Sequence, residues 1–152
     1  MPPKAPSKSV RKASWRGQDL ASARFEQCSL KGALFDDVNA ARARLHNCDC
    51  RGIALDDVDA RKATVRNVDL SQASLDDVSL AKARLHNADL SGLRGEDVTF
   101  AGARLSNVDL SGVHVADAQI EGLTINGVRM DRLLARELAR THRSSPRKSG
   151  RK

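Results

Sequence analysis

The sequence predicts an all-β chain wound into a solenoid, and two superimposed periods carry that prediction. The first is five residues long. From Arg16 to Met130 the 115 residues fall into 23 blocks of five; the fifth residue is apolar in every block but the one ending at Gly95, and the third in every block but the one holding Gln18. The second residue is never apolar: it is Gly, Asp, Asn, Lys, Arg, Gln or Ser. At the chain's overall apolar content of 40%, chance would put roughly nine apolar residues in a column of that depth. The second period is twenty. Asp36-Asp37-Val38 recurs as Asp56-Asp57-Val58, Asp76-Asp77-Val78 and Glu96-Asp97-Val98, and Ala23, Ala43, Ala63, Ala83 and Ala103 form another column.

Each period has a structural consequence. Five residues advance an α-helix by roughly 500°, so apolar side chains at that spacing would spiral over every face. A plain strand would turn every second residue inward without a break. Two inward residues followed by three polar or small ones describe a short extended side and then a corner. A short period repeated without interruption is the signature of a stacked solenoid. Twenty residues, four sides, make one turn, so residues twenty apart lie over one another.

Blocks such as Ala88-Asp89-Leu90-Ser91-Gly92 and Val108-Asp109-Leu110-Ser111-Gly112 carry a small residue, a polar residue, Leu, and two variable positions. In this the chain resembles the pentapeptide-repeat proteins, over the whole of the 115-residue run. The resemblance implies a right-handed quadrilateral parallel β-helix, here of about 5.75 coils (23 blocks over four sides), with no single activity attached. It also implies that a C-terminal helical segment can mediate dimers. Some members known to protect topoisomerases carry loops projecting from the coils, and this chain has no inserted loop.

Taken in order, residues 1–14 read as a disordered basic tail rich in Pro, Lys and Ser. Trp15 stands before the first block and is suited to cover the open apolar end of the coil. The β-helix occupies 15–130, roughly 28 Å long at about 4.8 Å per coil. Gly32, Gly52, Gly92 and Gly112 mark a corner that needs glycine's backbone freedom. After Met130 the period stops. Asp131 is a candidate N-cap for a helix of about ten residues, Arg132 to Thr141, within a terminal element spanning 131–142. Leu133, Leu134 and Leu138 give that helix an apolar edge, for covering the last coil or for pairing with a second copy. Residues 143–152 read as a second disordered basic tail.

The formal net charge of +7 is unevenly placed: +4 in residues 1–15, +6 in residues 131–152, and 14 basic against 17 acidic residues, −3, between them. No apolar leader and no stretch approaching the roughly 20 apolar residues of a membrane span is present. An odd number of cysteines, three, fits a reducing compartment, so a cytoplasmic protein is expected.

No cofactor, metal or catalytic site is expected. Cys28 and Cys48 share an inward column, Cys50 is inward elsewhere on the coil, and His46 points outward, so they do not converge. His46 and His86 lie two coils apart, about 9.6 Å, too far to share a metal. No nucleophile–base pair or phosphate loop appears. The charges are more informative. Asp37, Asp57, Asp77, Asp97 and Asp117 form one acidic ladder, and Asp36, Asp56, Asp76 and Glu96 a second beside it. Two charges per coil is one per about 2.4 Å, comparable with one per about 1.7 Å of duplex DNA. Asp49, Asp69, Asp89 and Asp109 add a third column. Against these stand Arg24, Arg44, Arg84 and Arg104, and Arg42, Lys62 and Lys82, about one corner away and expected to neutralise them.

The expected function is a non-enzymatic scaffold for protein–protein interaction. Its acidic ladder would imitate DNA in the binding groove of a protein such as a type II topoisomerase, DNA gyrase among them. The alternative is nucleic-acid or anionic-surface binding through the basic tails, with the solenoid as a spacer. The chain is expected to be a monomer or a homodimer through its C-terminal helix, with no membrane contact.

Overall fold

The computed structural model describes residues 13–143. The tails expected at 1–14 and 143–152 lie outside the described residues except for Ala13, Ser14 and Arg143.

Thirteen strands and one helix follow in chain order. They are β1 (Ser14–Arg16), β2 (Arg24–Glu26), β3 (Leu34–Asn39), β4 (Arg44–Asp49), β5 (Ala54–Asp59), β6 (Thr64–Asp69) and β7 (Ser74–Ser79). Then come β8 (Arg84–Asp89), β9 (Arg94–Glu96), β10 (Arg104–Asp109), β11 (His114–Val115), β12 (Thr124–Ile125), β13 (Val128–Arg129) and α1 (Met130–Arg143). Odd strands β1 to β11 stack in one sheet, and β2 to β10 with β12 and β13 in another. All pairings but the last are parallel, as expected for a β-helix. The register is twenty residues at every step: Phe35 pairs with Leu55, Leu55 with Leu75, and Leu45 with Val65.

The corners explain why the second residue of each block is never apolar. From Gly17 to Asp117 that residue has positive φ in every block, between +49° at Asp117 and +66° at Gly102. Such backbone is cheap for Gly and tolerable for Asn and Asp, but strained for a branched apolar residue. Two corner types alternate. At one, a β-turn closes through an N–H to a carbonyl three residues back, as from Ala23 to Leu20 or Ile53 to Cys50; the positive φ then falls at the third turn position, the type II signature. At the other, a six-residue strand bends at its own positive-φ residue, such as Asp37 or Asn47, and pairing resumes beyond it.

Third-residue Ala and Val and fifth-residue Leu and Phe fill the interior, around an apolar cavity of about 120 Å³. The two exceptions to the pattern have local causes. A Cβ on Gly95 would sit 3.0 Å from Val98 Cγ2 and 3.3 Å from Val115 Cγ1, so its neighbours already fill that space. Gln18 belongs to the first coil and is exposed, with its amide donating to the Arg16 carbonyl.

Trp15, expected to cover the open end of the first coil, lies within β1, in register with Phe35, and its ring stacks on Phe35 at 4.6 Å and meets Phe25 edge-on at 6.4 Å. Two expectations at the C-terminal end are corrected. The pentad register outlives the coil. Asn126 and Gly127, both at positive φ, turn the chain back so that β13 pairs antiparallel with β12. This is an Asn-Gly hairpin, and it leaves Val128, inward by the five-residue count, 50% exposed. Finally, α1 starts at Met130, whose N–H donates to the Leu123 carbonyl. Asp131 therefore sits inside the first turn instead of capping it, and its carboxylate accepts from the Arg129 guanidinium and the Gly122 N–H.

Candidate functional site: an acidic corner opposite a basic face

The two bending corners lie half a coil apart, diagonally across the four-sided section. One carries Asp37, Asp57, Asp77, Asp97 and Asp117, all exposed and all at φ between +49° and +53°. The other carries Gln27, Asn47, Asn67, Asn87 and Asn107 at φ between +50° and +54°. Their backbones are equivalent and their side chains behave oppositely. Each asparagine amide donates to the one below it: Asn67 to Asn47 at 3.0 Å, Asn87 to Asn67 at 2.8 Å, Asn107 to Asn87 at 2.8 Å. Among the described residues, none of the five aspartates makes a side-chain hydrogen bond or ion pair. Carboxylates have no N–H with which to build such a ladder.

Asp36, Asp56, Asp76 and Glu96 are register partners along the side leading to that corner. Among the described residues, only Asp36 of these is paired, with Arg16 at 3.1 Å. Asp57, Asp77 and Asp97 share an open trough with Asp59, Ser79, Thr99 and Arg61, whose guanidinium is bound to Asp59.

The third acidic column has a different role. Asp49, Asp69, Asp89 and Asp109 each accept the backbone N–H two residues on, at 2.8–3.2 Å, pinning the turn corner that follows. Asp19, Asn39 and Asp59 do the same on the other side of the coil. Asp49 is further clasped by Arg51, and Asp59 by Arg61, which hold both carboxyls below the ordinary range. The Ser111 hydroxyl and N–H lower Asp109 in the same way. These acids are corner fasteners.

The expected neutralisation of the acidic ladders by the basic columns is absent among the described residues. Arg24, Arg44, Arg84 and Arg104 occupy the opposite sheet, stacked through Thr64. Neither they nor Arg42, Lys62 and Lys82 form an ion pair there. The reason is geometric: one whole side of the coil separates the Asp37 corner from the Arg42 corner, and the Arg44 row lies beyond that. The Asp37 corner and the Arg44 row therefore lie apart on the coil, although Arg16 and Arg94 stand on the acidic sheet itself.

Cys28 and Cys48 approach to 3.2 Å between sulfurs; desolvation and the Cys48 contact push the Cys28 thiol up to about 12, and burial raises Cys50 also. Among the described residues no group of His, Cys, Asp and Glu is arranged to hold a metal, and no helix is long and apolar enough to cross a membrane. Leu133, Leu134 and Leu138 are 45%, 50% and 52% exposed, so the apolar edge of α1 faces outward.

The hydrogen-bonded asparagine ladder was readable as a column but not as a bonded one. The only signal distinguishing it from the aspartate column was residue type.

A family model described as pentapeptide repeats matches in eight copies over residues 19–52 and 54–92. No curated protein matches the sequence. Among solved structures, the chain is similar to the pentapeptide repeat protein Rfr23 of the cyanobacterium Cyanothece 51142, at 16% identity, over 80% of this chain and 90% of that one, with a TM-score of 0.39. It is similar to QnrB1, a plasmid-mediated fluoroquinolone resistance protein, at 17% identity over 90% and 93% of the two chains, TM-score 0.32. A pentapeptide repeat protein of the Arabidopsis thaliana thylakoid lumen matches at 17% identity over 86% and 74%, TM-score 0.26. With the family's repeat in eight copies and the same five-residue register continuing on either side of them, the solenoid of this chain is built of pentapeptide repeats.

Proposed function

We propose that this protein is a non-enzymatic binding scaffold whose aspartate corner docks in a basic, DNA-binding groove of a partner protein, a type II topoisomerase being the specific candidate. The observation that supports it is the row Asp37, Asp57, Asp77, Asp97 and Asp117: exposed acids stacked at coil spacing, none with an ion-pair partner among the described residues. Asparagine suits the same backbone and bonds to itself on the diagonal corner. Retaining aspartate there opposes stability and suits an external cationic surface. Together with the Asp36, Asp56, Asp76 and Glu96 row, the edge offers one charge per about 2.4 Å, against about 1.7 Å for a duplex. The reading places the protein in the cytoplasm, where three free cysteines stay reduced.

The test is binding to purified DNA gyrase and inhibition of its supercoiling. Wild type is expected to bind and inhibit, and Asp57→Lys/Asp77→Lys/Asp97→Lys to lose at least tenfold. Failure of the wild type to bind or inhibit removes the topoisomerase; equal activity of the triple variant removes the corner. The reading also places a second copy on the edge of Leu133, Leu134 and Leu138. Sedimentation should then show a wild-type dimer and a monomeric Leu134→Glu/Leu138→Glu, and a monomeric wild type discards that element.

A further inference from the structure

The side of the coil opposite the acidic one carries a surface that this function does not use. Its outward residues come from β2, β4, β6, β8 and β10 and the turn corner preceding them. Arg24, Arg44, Arg84 and Arg104 make one row, Arg42, Lys62 and Lys82 a second, and Arg66 stands in a third between His46 and His86. All eight cations are exposed, and none has an ion-pair partner among the described residues. The acid facing the same way is Glu26, at the N-terminal end. Five coils about 4.8 Å apart put these eight charges on roughly 19 Å of flat sheet, one per about 2.4 Å.

We infer that this face binds the phosphate backbone of double-stranded nucleic acid. Eight unpaired cations on a rigid surface displace condensed counterions from a polyanion without first having to break internal pairs. The aromatic rings Trp15, Phe25, Phe35 and Phe100 all pack on the core, so apart from the small imidazoles of His46 and His86 the face has no aromatic platform for base stacking. Contact is therefore with phosphates and independent of sequence. A second copy of this chain would also present carboxylates at the coil spacing. However, a second copy brings its own net charge of +7 along with its carboxylates, whereas a nucleic acid backbone brings negative charge alone. The inference is independent of the topoisomerase reading: the two surfaces lie on opposite sides of the coil and share no residue.

The experiment measures affinity of the full-length chain for a 30-base-pair duplex across a salt series. Wild type is expected to bind at low salt with a steep fall in log K against log salt. Arg44→Gln/Lys62→Gln/Arg84→Gln should flatten that slope by about 2.7, at about 0.9 per phosphate contact, and weaken binding at least tenfold at about 0.1 M salt. The same flattening should appear in a background with Lys4, Lys8, Arg11, Lys12, Arg143, Arg147, Lys148, Arg151 and Lys152 all changed to Gln, which separates the face from the tails. Asp57→Asn/Asp77→Asn/Asp97→Asn should bind the duplex at least as well as wild type. An unchanged thermal midpoint in the face variant shows that its fold is intact. The inference is overturned if wild type does not bind, if the face variant keeps the wild-type slope, or if only the tail substitutions matter. Salt-sensitive self-association abolished by the face variant would also overturn it, by assigning the face to a second copy.

Discussion

The aspartate corner and the asparagine corner are the same piece of backbone used twice. Both bend a six-residue strand at one positive-φ residue, both repeat every twenty residues, and both are exposed. The asparagine corner satisfies itself, each amide donating to the next. The aspartate corner stacks like charges with no internal relief. Two carboxylates about 4.8 Å apart in water repel by roughly 0.9 kcal/mol, and by about half that at physiological salt. Four successive contacts therefore oppose folding by about 2 kcal/mol. Backbone preference explains why both columns are polar. It does not explain why one is charged, and that residue of difference points to something outside the chain.

The harshest way to break the comparison is to forbid the backbone. Asn67→Val puts a β-branched residue at φ +53° and removes hydrogen bonds to Asn47 and Asn87. Strain of about 1–2 kcal/mol and two bonds of about 1 kcal/mol each give a loss of about 3 kcal/mol in urea unfolding. Asp77→Val meets the same strain at φ +49° but removes two repulsions, and should lose only about 1 kcal/mol. Equal losses would show that the two corners do not differ energetically.

The next effect has the opposite sign. Asp57→Asn/Asp77→Asn/Asp97→Asn abolishes all four like-charge contacts and permits two amide–amide bonds. Relief of the four contacts alone should stabilise the protein by about 2 kcal/mol at physiological salt, raising Tm by roughly 5 °C, with a smaller gain in 1 M salt. If the corner is a binding surface, this more stable protein will bind its partner at least tenfold more weakly. Higher stability together with undiminished binding would strip the corner of its role. The reverse exchange is milder. Asn67→Asp keeps an acceptor for Asn87 but loses the donor to Asn47, and should lose about 1 kcal/mol by the same unfolding measurement.

How much of this was legible beforehand depends on whether sequence spacing alone decides the matter. The apolar third and fifth residues determine the coil, and the twenty-residue recurrence of Asp-Asp-Val gives the register found between β3, β5 and β7. The half-coil offset between Asp36 and Arg66 could have been counted, and it places them on opposite sides. The polar second column was visible without its cause, because a φ angle is not written in polarity. Asn126-Gly127 was a hairpin signal hidden by a register that happens to continue through it. Which acids are held by arginines was not legible at all: Arg51 and Arg61 reach back two residues to Asp49 and Asp59, while Arg44 reaches no acid, a matter of side-chain geometry at each corner.

The gentlest test uses a carboxylate of the opposite kind, one whose charge is answered within the chain. Asp131 joins the last coil to α1 by accepting from Arg129 and from the Gly122 N–H, and the Arg129 contact holds its carboxyl well below the ordinary range. A depressed carboxyl stabilises the fold above its unfolded pKa of about 3.9 and loses that contribution as pH falls through the lower folded value. The anchor of α1 should therefore weaken below about pH 4. The helical circular dichroism signal should decline between about pH 4 and pH 2 before the sheet signal does. Asp131→Asn cannot form the charged pair, so at neutral pH it should already show the weakened helix, and it should lose the acid step. An acid step of full size in Asp131→Asn would place the titrating anchor elsewhere. Disappearance of the step would mark Asp131 as a charge compensated within the fold, in contrast to the five of the aspartate corner.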